Sequence, residues 1–274
     1  MSYQTVKIYT PKKGMPMSVI FFASNSATNL RSVHRLSQKY PKAISVDLVV
    51  TDRKGIGAIE YATKNKIPVI TQNFFEMCGS HPNTSKSSVQ DKKYHACSIR
   101  FHNLMLKQIK EFEAKRGYKF DLAVLNYYRW IHGDLLKYFS RRMINQHPAD
   151  LSVMSEDKKT RKYIGIDPAY LSILDGCKRT RTSTILVRSG HDAGEILCQG
   201  PWCRYTGSHP VTKERAAKHE SKQEKISDIP ALEFAVKAIS KGKYSIGKAQ
   251  HYDGTHVLYF NGKKLPYQGV ELSH

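Results

Sequence analysis

The sequence predicts an α/β fold, with an open, mostly parallel sheet and helices on both faces. Three observations carry that expectation. Short apolar runs without alternation suit strands buried on both faces. Helix-length stretches with apolar residues three and four apart lie between them. Small polar residues fill the turns where run gives way to helix, as in a βαβ unit.

In chain order, Ser18–Ala23 is the first apolar run, Ser24–Asn29 the small-residue turn, and Leu30–Tyr40 a helix with Leu30, Val33 and Leu36 on one face. A strand over Ile44–Val50 leads to a helix over Gly55–Asn65, with Ile56, Ile59 and Ala62 inward, and then to a short strand, Ile67–Thr71. Residues 77–93 are polar and punctuated by Gly and Pro, which reads as a loop. His95–Lys115 follows as a long helix, with Ile99, Leu104, Ile109 and Phe112 as core candidates. Leu122–Leu125 is a buried strand, Asp134–Phe139 a short helix, and Arg142–Gln146 a strand running into His147-Pro148. After a charged break at 155–162, Asp167–Leu174 reads as a helix stopped by Gly176. Thr182–Val187 and Glu195–Cys198 are strands around a turn bracketed by Gly190 and Gly194. Residues 211–241 form a charged helical region interrupted near Asp228-Ile-Pro230, and His256–Phe260 with Asn261-Gly262 predicts a closing hairpin. One domain is expected over 1–274, with 1–16 as an N-terminal extension and 200–274 as a C-terminal helix and hairpin tail.

Composition excludes several classes. With 40% hydrophobic residues, 17 Gly and 11 Pro, the chain is neither collagen-like nor expected to be disordered throughout. No apolar run approaches the roughly 18–20 residues of a membrane span. The longest, Met17–Ala23, is strand-sized, so a soluble, cytoplasmic protein without a secretory signal is expected. Five Cys, irregularly spaced, point to reduced thiols rather than a disulfide framework. Cys198 and Cys203 lack a second pair nearby, and none of the 12 His forms a His-Glu-X-X-His spacing, so no metal is expected. Lys and Arg number 44 against 23 Asp and Glu, a formal net charge of +21 that attracts anionic partners.

In such a sheet, ligands bind beyond the carboxyl ends of the strands. Asn145, His147 and Asp192 all fall at such ends or on the turn after one. An Asn amide and a protonated imidazole are donors that can hold an oxyanion. A carboxylate beside the imidazole would orient it and favour its charged form, or accept through water the proton of an attacking amine. No Ser or Cys adjoins them as a nucleophile, so the trio fits direct acyl transfer to an amine. The alternative is that His147 caps a strand end and Asp192 shapes a turn.

Arg142-Met-Ile-Asn145-Gln-His147-Pro148, with Asp192-Ala-Gly194-Glu-Ile196 downstream, resembles the signature of the folate-dependent formyltransferases: Asn-X-His-Pro at a strand end and a later Asp-X-Gly-X-Ile turn. The resemblance covers roughly Met17 to Leu272 and is nearest to the purine-synthesis branch. It implies a Rossmann-like formyltransferase fold, 10-formyltetrahydrofolate as co-substrate, no metal, and Asn145, His147 and Asp192 as catalytic residues. It also implies folate contacts at Tyr128, Arg129, Trp130 and Ile131 and at Arg188, Ser189, Gly190 and His191. The acceptor's phosphate would lie on the amides of Ser26, Ala27, Thr28 and Asn29, and Glu224 would contact ribose hydroxyls. The acceptor so implied is a phosphorylated amine, phosphoribosylglycinamide first, in a monomer or homodimer with no membrane partner.

The chain departs from the family's pattern in three places. The turn at 24–29 is glycine-poor, the segment after Pro148 is longer and basic, and Ile185 stands where many members carry His. These fall on the acceptor side and keep other acceptors open: an amino-sugar nucleotide, or methionyl-tRNA. The tRNA enzymes typically add a β-barrel domain, whereas only about 75 residues follow Gln199. A non-catalytic nucleic-acid-binding relative is the alternative of a different class, suggested by the basic clusters at Lys158–Lys162, Lys178–Arg181 and Lys213–Lys218. Loops 77–93 and 149–164 are candidate lids against hydrolysis of the formyl donor.

Overall fold

The computed structural model describes residues 5–83, 88–156 and 160–273. Lys158 and Lys159 of the first basic cluster, and residues 84–87 of the first candidate lid, lie outside them. The chain divides into two compact units, one of residues 1–16 with 144–274 and one of residues 17–143. The first begins with β1 (Thr5–Lys7), a strand within the expected N-terminal extension.

The 17–143 unit carries β2 (Met17–Ala23), α1 (Thr28–Lys39), β3 (Ile44–Thr51), α2 (Gly57–Lys64), β4 (Val69–Thr71), α3 (Phe74–Cys78), α4 (Val89–Arg116), β5 (Leu122–Asn126) and α5 (Gly133–Tyr138). Its strands are all parallel, in the order β4-β3-β2-β5. Every residue of β2 is buried, which is why that run shows no alternation.

Helix α4 starts earlier than the apolar spacing predicts. Ser88 accepts a hydrogen bond from the Asp91 amide at 3.0 Å, a serine N-cap at the start, and Gly117 closes the other end in the left-handed conformation. Its inward face is Cys97, Phe101, Met105 and Ile109, so Ile99 and Leu104, expected in the core, are 39% and 46% exposed. The expectation of free thiols is also corrected. Cys78 and Cys97 are joined in a disulfide, Cα to Cα 5.6 Å, between the end of α3 and the first half of α4. Cys177, Cys198 and Cys203 are free.

The other unit continues with β6 (Met143–His147), α6 (Pro168–Leu174), β7 (Arg179–Thr180), β8 (Ser183–Leu186), β9 (Ile196–Gln199), β10 (Cys203–Arg204), α7 (Lys213–Gln223), a π-helical turn (Glu224–Asp228), α8 (Ile229–Ser240), β11 (Tyr244–Gln250), β12 (His256–Phe260), β13 (Lys263–Lys264) and β14 (Val270–Glu271). Strands β14-β9-β8-β6 follow one another, with β8 antiparallel to both neighbours and β14 parallel to β9. Strand β1 joins β11, β12 and β13 in an antiparallel sheet. The predicted hairpin forms between β12 and β13, with Asn261 at φ 51° and Gly262 at φ 78°, both left-handed as a type I′ turn requires. The interruption expected near Pro230 is the π-helical turn, from which α8 continues directly.

Candidate functional site

Residues of β6 alternate between its two faces, so Asn145 and His147 share one and Gln146 takes the other. On the Gln146 side its amide donates to the Asp228 carbonyl at 2.6 Å, and its side-chain oxygen accepts from Thr184. On the opposite side Asn145 is half-buried, and its amide has no side-chain hydrogen-bond partner among the described residues. Directly across the ladder stands Ile185, packed in an apolar cluster with Leu151 and Ile196.

His147 is buried and has acceptors at both ring nitrogens. Its Nδ1 lies 3.3 Å from Asp192 Oδ1 and its Nε2 lies 2.6 Å from the Tyr163 carbonyl oxygen. A carbonyl can only accept, so Nε2 carries a proton. The Asp192 carboxylate faces Nδ1 as an acceptor for that nitrogen. Thus the structure brings His147 and Asp192 together, with Asn145 two residues upstream on the same strand face.

The carboxyl of Asp192 is held from several directions. Burial acts to raise its pKa. The hydrogen bond and charge of His147, with a 3.0 Å hydrogen bond from the Gly165 amide, outweigh burial and leave it below the usual carboxylate range. The turn that carries Asp192 is left-handed at φ 48° and is fixed by Arg161. One guanidinium nitrogen donates to the Asp192 carbonyl at 2.5 Å, another to the Gly194 carbonyl at 2.7 Å, and Nε to the Tyr267 hydroxyl at 2.9 Å. Tyr267 donates in turn to Asp253 at 2.6 Å. Gly194 is required by space, since a Cβ there would overlap the Leu186 carbonyl. Arg161, Tyr163 and Gly165 belong to or adjoin the segment expected as a lid. Of its described residues, Met154 and Arg161 form a bridge, and residues 157–159 lie outside those described. Nothing in the residue types around Arg161 announces this role. Asp253 and Tyr267 at least stand in the tail that carries the family resemblance.

Of the remaining expected residues in this unit, Arg188 pairs with Glu195 at 3.1 Å and reaches the Gly254 carbonyl, bracing the 188–195 turn. Ser189 and His191 are exposed on that turn, and Gly190 has φ 109°. Glu224 is half-buried at the first position of the π-helical turn. Two other acids nearby have raised pKa values. For Asp228, burial first, and then the charges of Glu224 and Glu220, push it up to about 7 against the Thr182 hydrogen bond. Glu220 is raised by burial and by the charges of Asp167 and Glu224, while His147 pulls it down.

In the 17–143 unit, the turn after β2 takes its shape from side chains. Ser24 accepts a hydrogen bond from the Tyr128 amide at 2.9 Å, and Asn25 donates to the Tyr128 hydroxyl at 3.0 Å. No residue of 24–29 has a left-handed φ, so the lost glycines are not required by backbone conformation. Helix α1 begins after Ala27 without a side-chain cap, and the buried Asn29 Oδ1 has no hydrogen-bond partner among the described residues. Amides at such an end suit an anion. Tyr128 and Trp130 expose their rings, whereas Ile131 is buried. Arg129 turns inward, 2.7 Å from the fully buried Asp52 and 4.4 Å from the centre of the Phe74 ring.

The profile of the formyl transferase family matches residues 17–222. The chain belongs to that family. Chloroplastic phosphoribosylglycinamide formyltransferase of Vigna unguiculata is 25% identical over 179 residues, which is 65% of this chain and 48% of that protein. The Arabidopsis thaliana protein of the same name is 23% identical over 212 residues, 77% of this chain and 63% of its own. The chain therefore spans about half to somewhat under two thirds of the length of those relatives. Among solved structures, phosphoribosylglycinamide formyltransferase of Coxiella burnetii superposes with a TM-score of 0.65 at 18% identity, over 94% of this chain and 99% of that one, a likeness of fold.

Several described members of the basic clusters are paired with carboxylates. Lys162 pairs with Asp175, Arg181 with Asp150 and Glu271, Lys213 with Asp167, and Lys218 with Glu214. Among the described residues no group of three or more His, Cys, Asp or Glu could hold a metal ion, and no helix is long and apolar enough to cross a membrane.

Proposed function

We propose that the protein transfers the formyl group of 10-formyltetrahydrofolate to the primary amine of phosphoribosylglycinamide. The observation that supports this best is the buried His147–Asp192 pair beside an unengaged Asn145 amide, in a chain whose family carries out formyl transfer. The amine nitrogen attacks the formyl carbon, the carbonyl oxygen becomes an oxyanion, and the bond to the folate nitrogen breaks as that nitrogen takes a proton. Products are the N-formyl amine and tetrahydrofolate. The Asn145 amide and the charged imidazole of His147 stabilise the oxyanion. The His147 Nε2 proton reaches it by leaving the Tyr163 carbonyl. Asp192, with its depressed pKa, is a weak base. It acts by orienting and charging His147, and any proton it passes from the amine moves on through water.

Tyr128–Ile131 and Arg188–His191 are each proposed donor contacts. Arg129 and Ile131 would contribute mainly backbone, given their inward side chains. Ser26–Asn29 is the proposed phosphate contact and Glu224 the ribose contact. A cytoplasmic location stands as a proposal beside an organellar one, since both curated relatives are chloroplastic by name. Fractionation of cells expressing the tagged full-length protein decides it.

Purified protein is supplied with phosphoribosylglycinamide and a 10-formylfolate analogue, and deformylated folate is followed by absorbance. Turnover is expected only with the amine present. Folded protein that neither binds the analogue nor turns it over overturns the reading. Turnover with an amino-sugar nucleotide or charged tRNA in place of phosphoribosylglycinamide keeps the chemistry and changes the acceptor. Formate release without amine makes the protein a hydrolase.

A further inference from the structure

One cleft in the unit of 144–274 has no part in the reaction above. It encloses about 440 Å3, within the range of pockets that hold small organic ligands. Val153, Tyr163 and Trp202 supply its apolar walls, and Lys178 and Arg179 line it as exposed cations. Asp150 also lines it, but its carboxylate is already occupied. It accepts from Arg181 at 2.8 Å, from Gln199 at 2.5 Å and from the Ser152 amide at 2.9 Å. Lys178 and Arg179 have no carboxylate partner among the described residues, unlike most of the basic residues around them. Arg179 lies over Trp202, its guanidinium carbon 4.2 Å from the ring centre, so cation and aromatic surface are side by side. Aromatic walls with two adjacent unpaired cations fit a flat ring carrying a dianion.

The cleft is also tied to the catalytic pair. The ring of Tyr163 lines it, while the carbonyl of the same residue accepts from His147 Nε2 at 2.6 Å. Two residues on, the Gly165 amide donates to Asp192 at 3.0 Å. One three-residue segment therefore touches the cleft and both members of the pair.

We propose that this cleft is a second ligand site, for an aromatic organic phosphate, whose occupancy is transmitted to His147 and Asp192 through residues 163–165. The binding half stands on the cleft alone. The transmission half rests on the catalytic reading of His147 and Asp192.

The full chain carrying Trp130→Phe retains Trp202 as the one tryptophan of the two. It is titrated with AMP, following Trp202 fluorescence, with calorimetry on the unsubstituted protein. Saturable quenching is expected, with adenosine and inorganic phosphate each binding at least about tenfold more weakly than AMP. Lys178→Glu with Arg179→Glu, both at exposed positions, weakens AMP by at least about tenfold, and Val153→Trp, which fills the cleft, does the same. Glu224→Gln, at the proposed ribose contact of the acceptor site, leaves AMP affinity within about twofold, which separates this site from the acceptor site. Absence of quenching at millimolar AMP, unchanged affinity in both cleft variants, or loss of AMP in Glu224→Gln overturns the site. In active protein, AMP is expected to change kcat or KM for the formyl donor, and the charge-reversed protein loses that response. AMP bound with no kinetic change overturns transmission and leaves the site. Should formyl transfer itself fail, the fluorescence arm still reports on the cleft.

Discussion

The carboxyl ends of β6 and β2 carry the two polar groups that the sequence singles out, and they are built in opposite ways. At β6 the protein has already satisfied the charges. His147 meets an acceptor at each nitrogen, Asp192 meets His147 and the Gly165 amide, and Arg161 holds the backbone on which Asp192 sits. At β2 no side chain caps the start of α1, so its first amides are left for another acceptor. The difference is that between a group that must be poised before the ligand arrives and a group that the ligand itself completes. Charges used in a transition state gain from fixed partners, because little reorganisation is then left, here the move of the His147 Nε2 proton off the Tyr163 carbonyl. An anion site gains from vacant amides, because a built-in cap would compete with the ligand.

The sharpest way to break the comparison is Asp192→Asn. It keeps the shape and removes the charge that pairs with His147, so kcat is expected to fall by about 10³-fold with KM nearly unchanged. A drop of less than about tenfold in steady-state assays would show that the pair is structural only.

Next in size is Arg161→Met, which keeps the apolar stem and removes the donors. It strands two backbone carbonyls and Asp253 in a buried setting, with an expected loss of about 3 kcal/mol of stability by denaturant titration. Unchanged stability would mean that the Asp192 turn holds itself.

A smaller effect concerns Asp228, whose folded pKa of about 7 lies above its ordinary value of 3.8. Between those pH values the unfolded chain has released this proton and the folded chain retains it. This carboxyl therefore makes stability fall as pH rises from about 4 to 7. Asp228→Asn is expected to flatten that part of the profile in thermal melts at a series of pH values. An unaltered slope would place the titration elsewhere.

The smallest change tests the open end at β2. Ala27→Asp supplies a cap at a position only 4% exposed, so the capping gain is offset by the cost of burying a carboxylate and no net stabilisation is expected. It also sets a carboxylate where the phosphate would bind, so KM for the phosphorylated amine should rise by about tenfold. An unchanged KM in folded protein would remove the turn from the acceptor site.

Much of this was legible in residue order, for physical reasons. Strands β2 and β5 are buried on both faces almost throughout, and β3 is from Leu48 on, so their apolar runs are easily read. Helix α4 was readable in existence but not in face, because apolar Ile99 and Leu104 lie outside while Cys97 and His102 lie inside. Strands β1, β7, β10, β13 and β14 are two or three residues long, too short for any period to show. Asn145, His147 and Asp192 could be singled out from strand ends and a motif. Arg161 could not, because its partners Asp192, Gly194 and Tyr267 are 31 to 106 residues away along the chain. The Cys78–Cys97 disulfide was hidden for a similar reason, since only the packing of α3 against α4 brings the two together.

The π-helical turn at Glu224–Asp228 amounts to one surplus residue wound into an otherwise continuous α7–α8 rod. It sits where Gly200 admits Ser227 closely, a spot any side chain at 200 would occupy. Excising that surplus residue would restore even winding and swing everything on one side of it by about 100°. His219 and Gln223, which meet Thr180, would then face elsewhere. The phase of this rod is set by a single inserted peptide unit, and its two halves can be swapped between homologues only together with that unit.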